Sequence, residues 1–321
     1  MLSPDSKTFD KTLATELIRA HAAELGFDAI GFAEATELSE EKERLDRWLA
    51  DGMHAEMAWM ERDTPRRSDP RRVLPGARTV IIVLRNYYTP HAHEDAAGTG
   101  KISRYAWGDD YHDVIGSRLK SLEAFMKERF PGAETKSSVD TSAVMEKQWA
   151  VRAGLGWMGK HSNLITKDLG SWVFIGEILT DLELEYSTET VENHCGTCTA
   201  CIDACPTNAI VSDYVVDSGR CISYATIESR APLMPDELAG KLDGWLYGCD
   251  ICQDVCPWNR FQKVTSEKAF EPRNNEPSLN LDDVLTLTEQ SFAERFRGSA
   301  MKRAKISGLQ RNARALKDIE G

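Results

Sequence analysis

"HCGTCTACIDACP", residues 194–206, places Cys195, Cys198, Cys201 and Cys205 within eleven residues and follows the last with a proline. A second group repeats the ending. Cys221 stands alone, and "CDICQDVCP" (249–257) then carries Cys249, Cys252 and Cys256. The spacings are C-x2-C-x2-C-x3-C-P and C-x2-C-x3-C-P. A structural zinc site usually joins two separated ligand pairs. Three thiols at two-residue intervals instead wrap one face of a cube, and the fourth cysteine serves a second cube, as in bacterial [4Fe–4S] ferredoxins. Crossed ligation leaves no cysteine over. One cluster takes Cys195, Cys198, Cys201 and Cys256; the other takes Cys205, Cys221, Cys249 and Cys252. Pro206 and Pro257 stop each turn from continuing as helix, by removing an amide donor and fixing φ. Two zinc sites are the alternative, separable by iron content and brown absorbance. Two clusters in one fold relay single electrons, so this part reads as a ferredoxin-like module of a redox protein.

The chain around it has 321 residues, 41% hydrophobic and 28% charged, the composition of a soluble globular protein of two or three units. All eight cysteines lie between 195 and 256, which suits metal-bound thiolates rather than a secreted disulfide framework. The longest apolar run, "TVIIVL" (79–84), has the length of a buried strand, not of a membrane span. The first residues, "MLSPDSKTFDKTLATELIRAH", lack the basic start and apolar core of an export signal, so a cytoplasmic location is expected. The net charge of −12 argues against nucleic acid. Its distribution does not: between Arg295 and Lys317 there are eight Lys or Arg and no Asp or Glu. That stretch is either a solvated helical face or a grip on a phosphate backbone.

Periodicity predicts helices over 10–25, 38–52 (capped by Ser39) and 109–132, and strands over 28–35, 78–88 and 171–180. Residues 135–156 read as a strand, a turn around Asp140 and a helix. Residues 278–321 read as wholly helical. The fold class is therefore α+β: a mixed α/β N-terminal domain (1–185), a two-[4Fe–4S] ferredoxin-like domain (186–265) and a short, basic helical C-terminal segment (266–321). No Gly-x-Gly-x-x-Gly follows a strand and no Walker A motif is present, so a dinucleotide or nucleoside triphosphate is not the expected cofactor.

Four stretches carry a family resemblance: "SRYAWGDDYHDV" (103–114), "SSVDTSAVMEKQWAVRAGLGWMGKHSNLI" (137–165), "GSWVFIGEILT" (170–180) and the two cysteine groups. Together, over roughly residues 10–310, they resemble epoxyqueuosine reductase. The resemblance implies a cobalamin-dependent oxidoreductase with two [4Fe–4S] clusters. It implies the last step of queuosine biosynthesis, a two-electron reduction of an epoxide to an alkene on the wobble base of tRNA, with loss of water. The implied partners are tRNA bearing epoxyqueuosine in its anticodon loop and an unidentified electron donor; a monomer with no membrane attachment is expected. Family members often continue into HEAT-like repeats, whose start residues 266–321 resemble.

The aspartate of the family's V-D-T motif, the proton donor above the corrin, matches Asp140. Holding a proton at neutral pH requires a raised pKa, which burial beside the corrin would supply. From the residues alone, Asp140 reads rather as the N-cap of the helix that follows, and Glu146 is the nearest rival acid. Arg104, Tyr111, His112, His161, Asn163 and Ser171, with Asp140, are the candidate cobalamin contacts. Gly159 and Gly170 would admit close backbone approach, and no cobalt–His bond is expected. Trp107, Trp149, Trp157 and Trp172 are core residues, or else walls for the corrin or a splayed base. The competing functions are a reductive dehalogenase-like cobalamin enzyme acting on a small molecule and a non-catalytic electron carrier.

Overall fold

The computed structural model describes residues 9–94 and 96–320. Residues 1–8, where the segment without an export-type pattern begins, lie outside the described residues. Helix α1 (Lys11–Glu24) starts where the Asp10 side chain accepts from the Leu13 amide, and the chain leaves it through Gly26 at φ 84°. Strand β1 (Ala29–Glu34) and helix α2 (Ser39–Ala50) come next. Leu38, not Ser39, is the cap of α2, with no side-chain capping bond; the buried Leu38 anchors that turn by packing instead. Then come α3 (Thr64–Ser68), β2 (Thr79–Asn86), β3 (Thr99–Ile102), α4 (Tyr111–Arg129), β4 (Thr135–Ser138), α5 (Glu146–Arg152), β5 (Trp157–Met158), β6 (Leu164–Ile165) and β7 (Val173–Thr180).

Four of these strands form an antiparallel sheet in the order β1-β2-β7-β4. Every residue of β2 is buried, as its unbroken apolar run requires of a strand covered on both faces. On one face, Ile115, Leu119 and Leu122 of α4 meet Ile81, Phe174 and Ile178. On the other, Trp149 and Ala150 of α5 meet Val80, Ile82 and Leu179. Asp140 lies on the connection that leads from the edge strand β4 to α5.

The cysteine segment contributes α6 (Ala200–Asp203), β8 (Ile210–Ser212), β9 (Val215–Val216), α7 (Ile222–Ile227), α8 (Asp236–Ala239), β10 (Trp245–Tyr247) and α9 (Ile251–Asp254). The remainder is β11 (Ser278–Asn280), α10 (Leu281–Thr286), α11 (Glu289–Arg295) and α12 (Lys305–Glu320). The expectation of a wholly helical 278–321 needs correction at its start. Ser278 and Asn280 pair with Lys101 and Thr99, making β11 an edge of a second sheet ordered β10-β3-β11. A three-residue strand whose partner is so distant in sequence leaves no local periodicity to detect. Asn280 then turns the chain into α10 by accepting from the amides of Asp282 and Asp283.

The core around α12 draws on Ile102 and Trp107, on Ile222 and Leu246, and on Leu309 and Ala313, so it takes residues from all three segments of the sequence. Trp107, Trp149, Trp157 and Trp172 are all buried. They are core side chains, and none presents a face on which a base could stack. No described helix is long and apolar enough to cross a membrane.

Candidate active site

Two walls of different origin face one cavity of about 470 Å³. One wall comes from the sheet domain: Tyr111 at the start of α4, Asp140 from the β4–α5 connection, Glu146 at the start of α5, His161 and Asn163, and Val173 to Ile175 on β7. The other comes from the cysteine segment and includes Cys205, Cys221, Cys249 and Cys252. These four are the second ligand set expected from the spacing. The remaining four lie elsewhere: Cys256 and Cys195 pack with Trp157 and Trp258, and Cys198 is exposed.

The thiols sort into the same two sets by the charges they feel. Burial pushes Cys201 up to about 11, and its thiol neighbours, in order of effect, are Cys195, Cys256 and Cys198. Burial also raises Cys249, beside Cys252 and Cys221. Cys252 is raised by burial and by Cys221, more weakly by Asp250, by Cys201 of the other set and by Cys205 of its own. Metal coordination would remove this cost by replacing the proton. The Ala209 amide already donates to Cys205 Sγ at 3.2 Å, the kind of backbone donor that stabilises a cluster sulfur. Among the described residues no three or more His, Cys, Asp or Glu side chains are gathered as a single metal ion requires. The residues present fit two clusters, one against the cavity and one toward the surface.

Asp140 is not a helix cap. Helix α5 starts six residues later, at Glu146, after Met145. Asp140 itself adopts a left-handed conformation, φ 56°, a strained choice for a residue with a side chain. Tyr111 Oη donates to Asp140 Oδ2 at 2.9 Å, and His112 Nε2 stands 3.7 Å from the same oxygen. His112 Nδ1 donates to Asp110 Oδ1 at 2.7 Å. The expectation of a raised Asp140 pKa is corrected here. His112 and then, against the opposing effect of burial, Tyr111 hold the carboxyl below its usual range. Although it stands inside the cavity, solvent still reaches 60% of the side chain, so burial is too weak to win. The proton sits across the pair. Burial disfavours the His112 cation, but bonds to Asp110 and Asp140 outweigh it and raise the imidazole to about 9. The pair's contribution to stability is thus complete below the ordinary histidine pKa and lost as pH rises through about 9. An NMR titration is expected to place the His112 midpoint near 9, and well below that in Asp140→Asn. A midpoint near 6.5 in both proteins would contradict the coupling.

His161 has a defined tautomer. The Asn163 amide donates to its Nδ1 at 3.2 Å, so the proton is on Nε2. That Nε2 is buried without a partner among the described residues. Burial, with Lys147 nearby, holds the ring neutral by lowering it to about 4. A neutral N–H donor on the cavity wall fits an uncharged acceptor such as a corrin amide. With the apolar side chains of Val173, Ile175, Ile222 and Ile251, the wall suits a flat, largely apolar ring edged with amides.

Three expected contacts are not on the wall. Arg104 donates to the carbonyls of Thr89 and His91 and stacks on Tyr88, Trp107 and Trp172; its cation braces the core. Ser171 is buried, donates its amide to Asn259 Oδ1, and receives Gln253 Nε2 at its own carbonyl. Its role is to position Gln253, which does reach the cavity. His112 acts on the cavity through Asp140. Gly170, at φ 66°, lies where a Cβ would come within 2.1 Å of Asn259 Oδ1, so it admits Asn259 rather than a cofactor. Lys147, Gln253 and Thr207 line the cavity without any sequence signal; they sit on separate segments that only folding unites.

The family model described as "Epoxyqueuosine reductase QueG, DUF1730" matches residues 67–141, and that described as "4Fe-4S double cluster binding domain" matches 194–259. The epoxyqueuosine reductase of Cellulophaga algicola is 48% identical over 303 residues, 94% of this chain and 98% of that protein. An epoxyqueuosine reductase crystallised with an epoxyqueuosine-modified tRNA-Tyr stem loop is 31% identical, with a TM-score of 0.89 over 95% of this chain and 80% of that one. A third relative, the Bacillus subtilis enzyme, is 31% identical with a TM-score of 0.87 over 95% of this chain and 81% of that one; its structure shows a catalytic aspartate loop swung out of the active site.

Proposed function

The chain belongs to the epoxyqueuosine reductase family, and from that premise we propose that the cavity between Asp140 and the second thiol set is where the epoxide of the tRNA base is reduced. The reaction is reduction of epoxyqueuosine to queuosine: both C–O bonds of the ring break, a C=C bond forms, and two electrons and two protons convert the oxygen to water. One observation carries the placement. A single cavity has the four thiols of one cluster on one side and the Tyr111–Asp140 pair on the other.

Cobalamin, when bound, would supply two-electron reducing power at low-valent cobalt, replenished one electron at a time through the two clusters. Tyr111, His161 Nε2–H and Asn163 would hold its polar edge, with Val173, Ile175 and Ile251 against its apolar face. Asp140 positions the epoxide oxygen and passes it the proton that His112 holds. Tyr111 keeps the carboxylate aimed while it waits for that proton. The exposed Cys198 marks the entry side for electrons. In this reading residues 1–185 are the catalytic part, 186–265 the electron relay and 266–321 the helical flank of a cytoplasmic monomer.

The test is anaerobic reconstitution followed by gel filtration and metal analysis. About eight irons and one cobalt per chain are expected, and conversion of epoxyqueuosine in tRNA, followed as loss of one oxygen from the nucleoside. Conversion without bound cobalt would remove cobalamin from the mechanism. Reduction of small halogenated substrates but not of the tRNA would favour a dehalogenase.

A further inference from the structure

The reduction consumes two protons, and the Asp140–His112 pair holds one. Where the second comes from is a question the interior of the sheet answers. Residues 173, 175, 177 and 179 of β7 share one face. Val173 and Ile175 line the cavity, while Leu179 lies in the core under α5. Between them stands Glu177, 3% exposed. Ser138 Oγ donates to its Oε1 at 2.5 Å, and its Oε2 is buried with no partner among the described residues. Ser138 is the strand neighbour of Glu177 on β4 and lies two residues before Asp140. Glu146, the first residue of α5, lines the cavity above the same face.

The groups facing this pair are few. Ile82 on β2 lies opposite Glu177 and is apolar. Ser138 faces it from β4, and Glu146 and Asp140 act on it by charge. Glu146 in turn feels Asp140, and more weakly Lys147 from α5 and Arg67 from α3. No lysine or arginine forms an ion pair with Glu177 among the described residues. A buried carboxyl with an orphaned oxygen and no cation contributes nothing to stability that glutamine or leucine would not match. It can, however, keep a proton at neutral pH.

We propose that Glu177 and Glu146 are an internal proton store that recharges Asp140 during each turnover. The step is a transfer between carboxyl groups. Glu146 gives its proton to the Asp140 carboxylate and takes one from Glu177. The water formed carries both protons away, and solvent reprotonates the store. Burial first, and the charge of Glu146 second, push Glu177 up to about 8. Burial and Asp140 likewise raise Glu146.

The proposal rests on the epoxide-reducing reading only for its kinetic arm. The first measurement is infrared titration of the protein alone. Wild type is expected to show a protonated carboxyl band at pH 7 that titrates near pH 8 and is missing in Glu177→Gln. The second is thermal unfolding against pH. An acid whose folded pKa is raised costs stability as pH climbs from its unfolded value, near 4.5, through about 8. Glu177→Gln should therefore gain on wild type over that window. The third is turnover. Glu177→Gln and Glu146→Gln are each expected to lower kcat by about 10–100-fold and to move the alkaline limb of the pH profile, with KM for tRNA unchanged. An identical infrared band in wild type and Glu177→Gln would overturn the proposal. So would wild-type kcat and pH profile in both variants. Failure of wild type to convert epoxyqueuosine at all would instead strike the functional reading, leaving the infrared band to decide the store.

Discussion

Asp140→Asn is expected to lower turnover of epoxyqueuosine in tRNA by about 10²–10⁴-fold, the range for loss of a positioned general acid. Asparagine keeps the size of the side chain and can still accept from Tyr111 Oη, the 2.9 Å bond that aims it. It cannot carry a proton. The amide also removes the carboxylate that, with Asp110, keeps His112 charged, so the imidazole proton loses its route to the substrate. Both effects act on the chemical step. KM for tRNA and the iron content, about eight per chain, should therefore stay at wild-type values. His112→Gln should show a smaller loss, because Asp140 then titrates closer to its own value and takes protons from solvent. A fall of less than tenfold in Asp140→Asn would mean that another group delivers the first proton. Glu146, already on the cavity wall, would be next in line.

Arg311→Glu is expected to unfold the C-terminal helix and to strip the cavity-side cluster. By charge alone Arg311 belongs to the basic stretch that could grip tRNA. The structure removes it from that role: it is 4% exposed, and its guanidinium donates to the carbonyls of Ala225, Ser229 and Ala231 and to Asn312 Oδ1. Asn312, fully buried, bonds to the carbonyls of Thr226 and Leu246. These bonds tie α12 to α7 and β10, and β10 leads within two residues to Cys249. A glutamate there would face three carbonyls as an unpaired buried anion, at a cost of about 3–5 kcal/mol. The urea midpoint should fall accordingly, and iron should drop from about eight toward about four per chain. Charge reversal at the exposed Lys302 should do neither. It should weaken tRNA binding and reduce its salt slope by about one if that surface contacts phosphate. Arg303, Arg295 and Lys317 are committed to Glu228, Glu276 and Asp282, so the basic stretch is more neutralised than its composition suggests. An Arg311→Glu protein of wild-type stability and iron content would overturn this account.

What the sequence by itself determined is chemistry set by spacing and by unbroken runs. The cysteine intervals point to two clusters, because a short loop converges three sulfurs on one cube at those separations, and the double-cluster domain that matches 194–259 agrees with that. The fully apolar "TVIIVL" names the central strand, because only a strand covered on both faces can bury every residue. The V-D-T motif points to Asp140 through family resemblance, not through periodicity. What only the tertiary structure decided is where each charge resides. Asp140 reads as a cap until α5 is seen to begin at Glu146, and as a raised acid until His112 and Tyr111 are seen beside it. Arg311 reads as a surface cation until α7 supplies carbonyls to it. Glu177 reads as one polar residue in a strand until both faces of its sheet are covered. Protonation depends on burial and on partners from distant segments, and neither is written in the local order of residues.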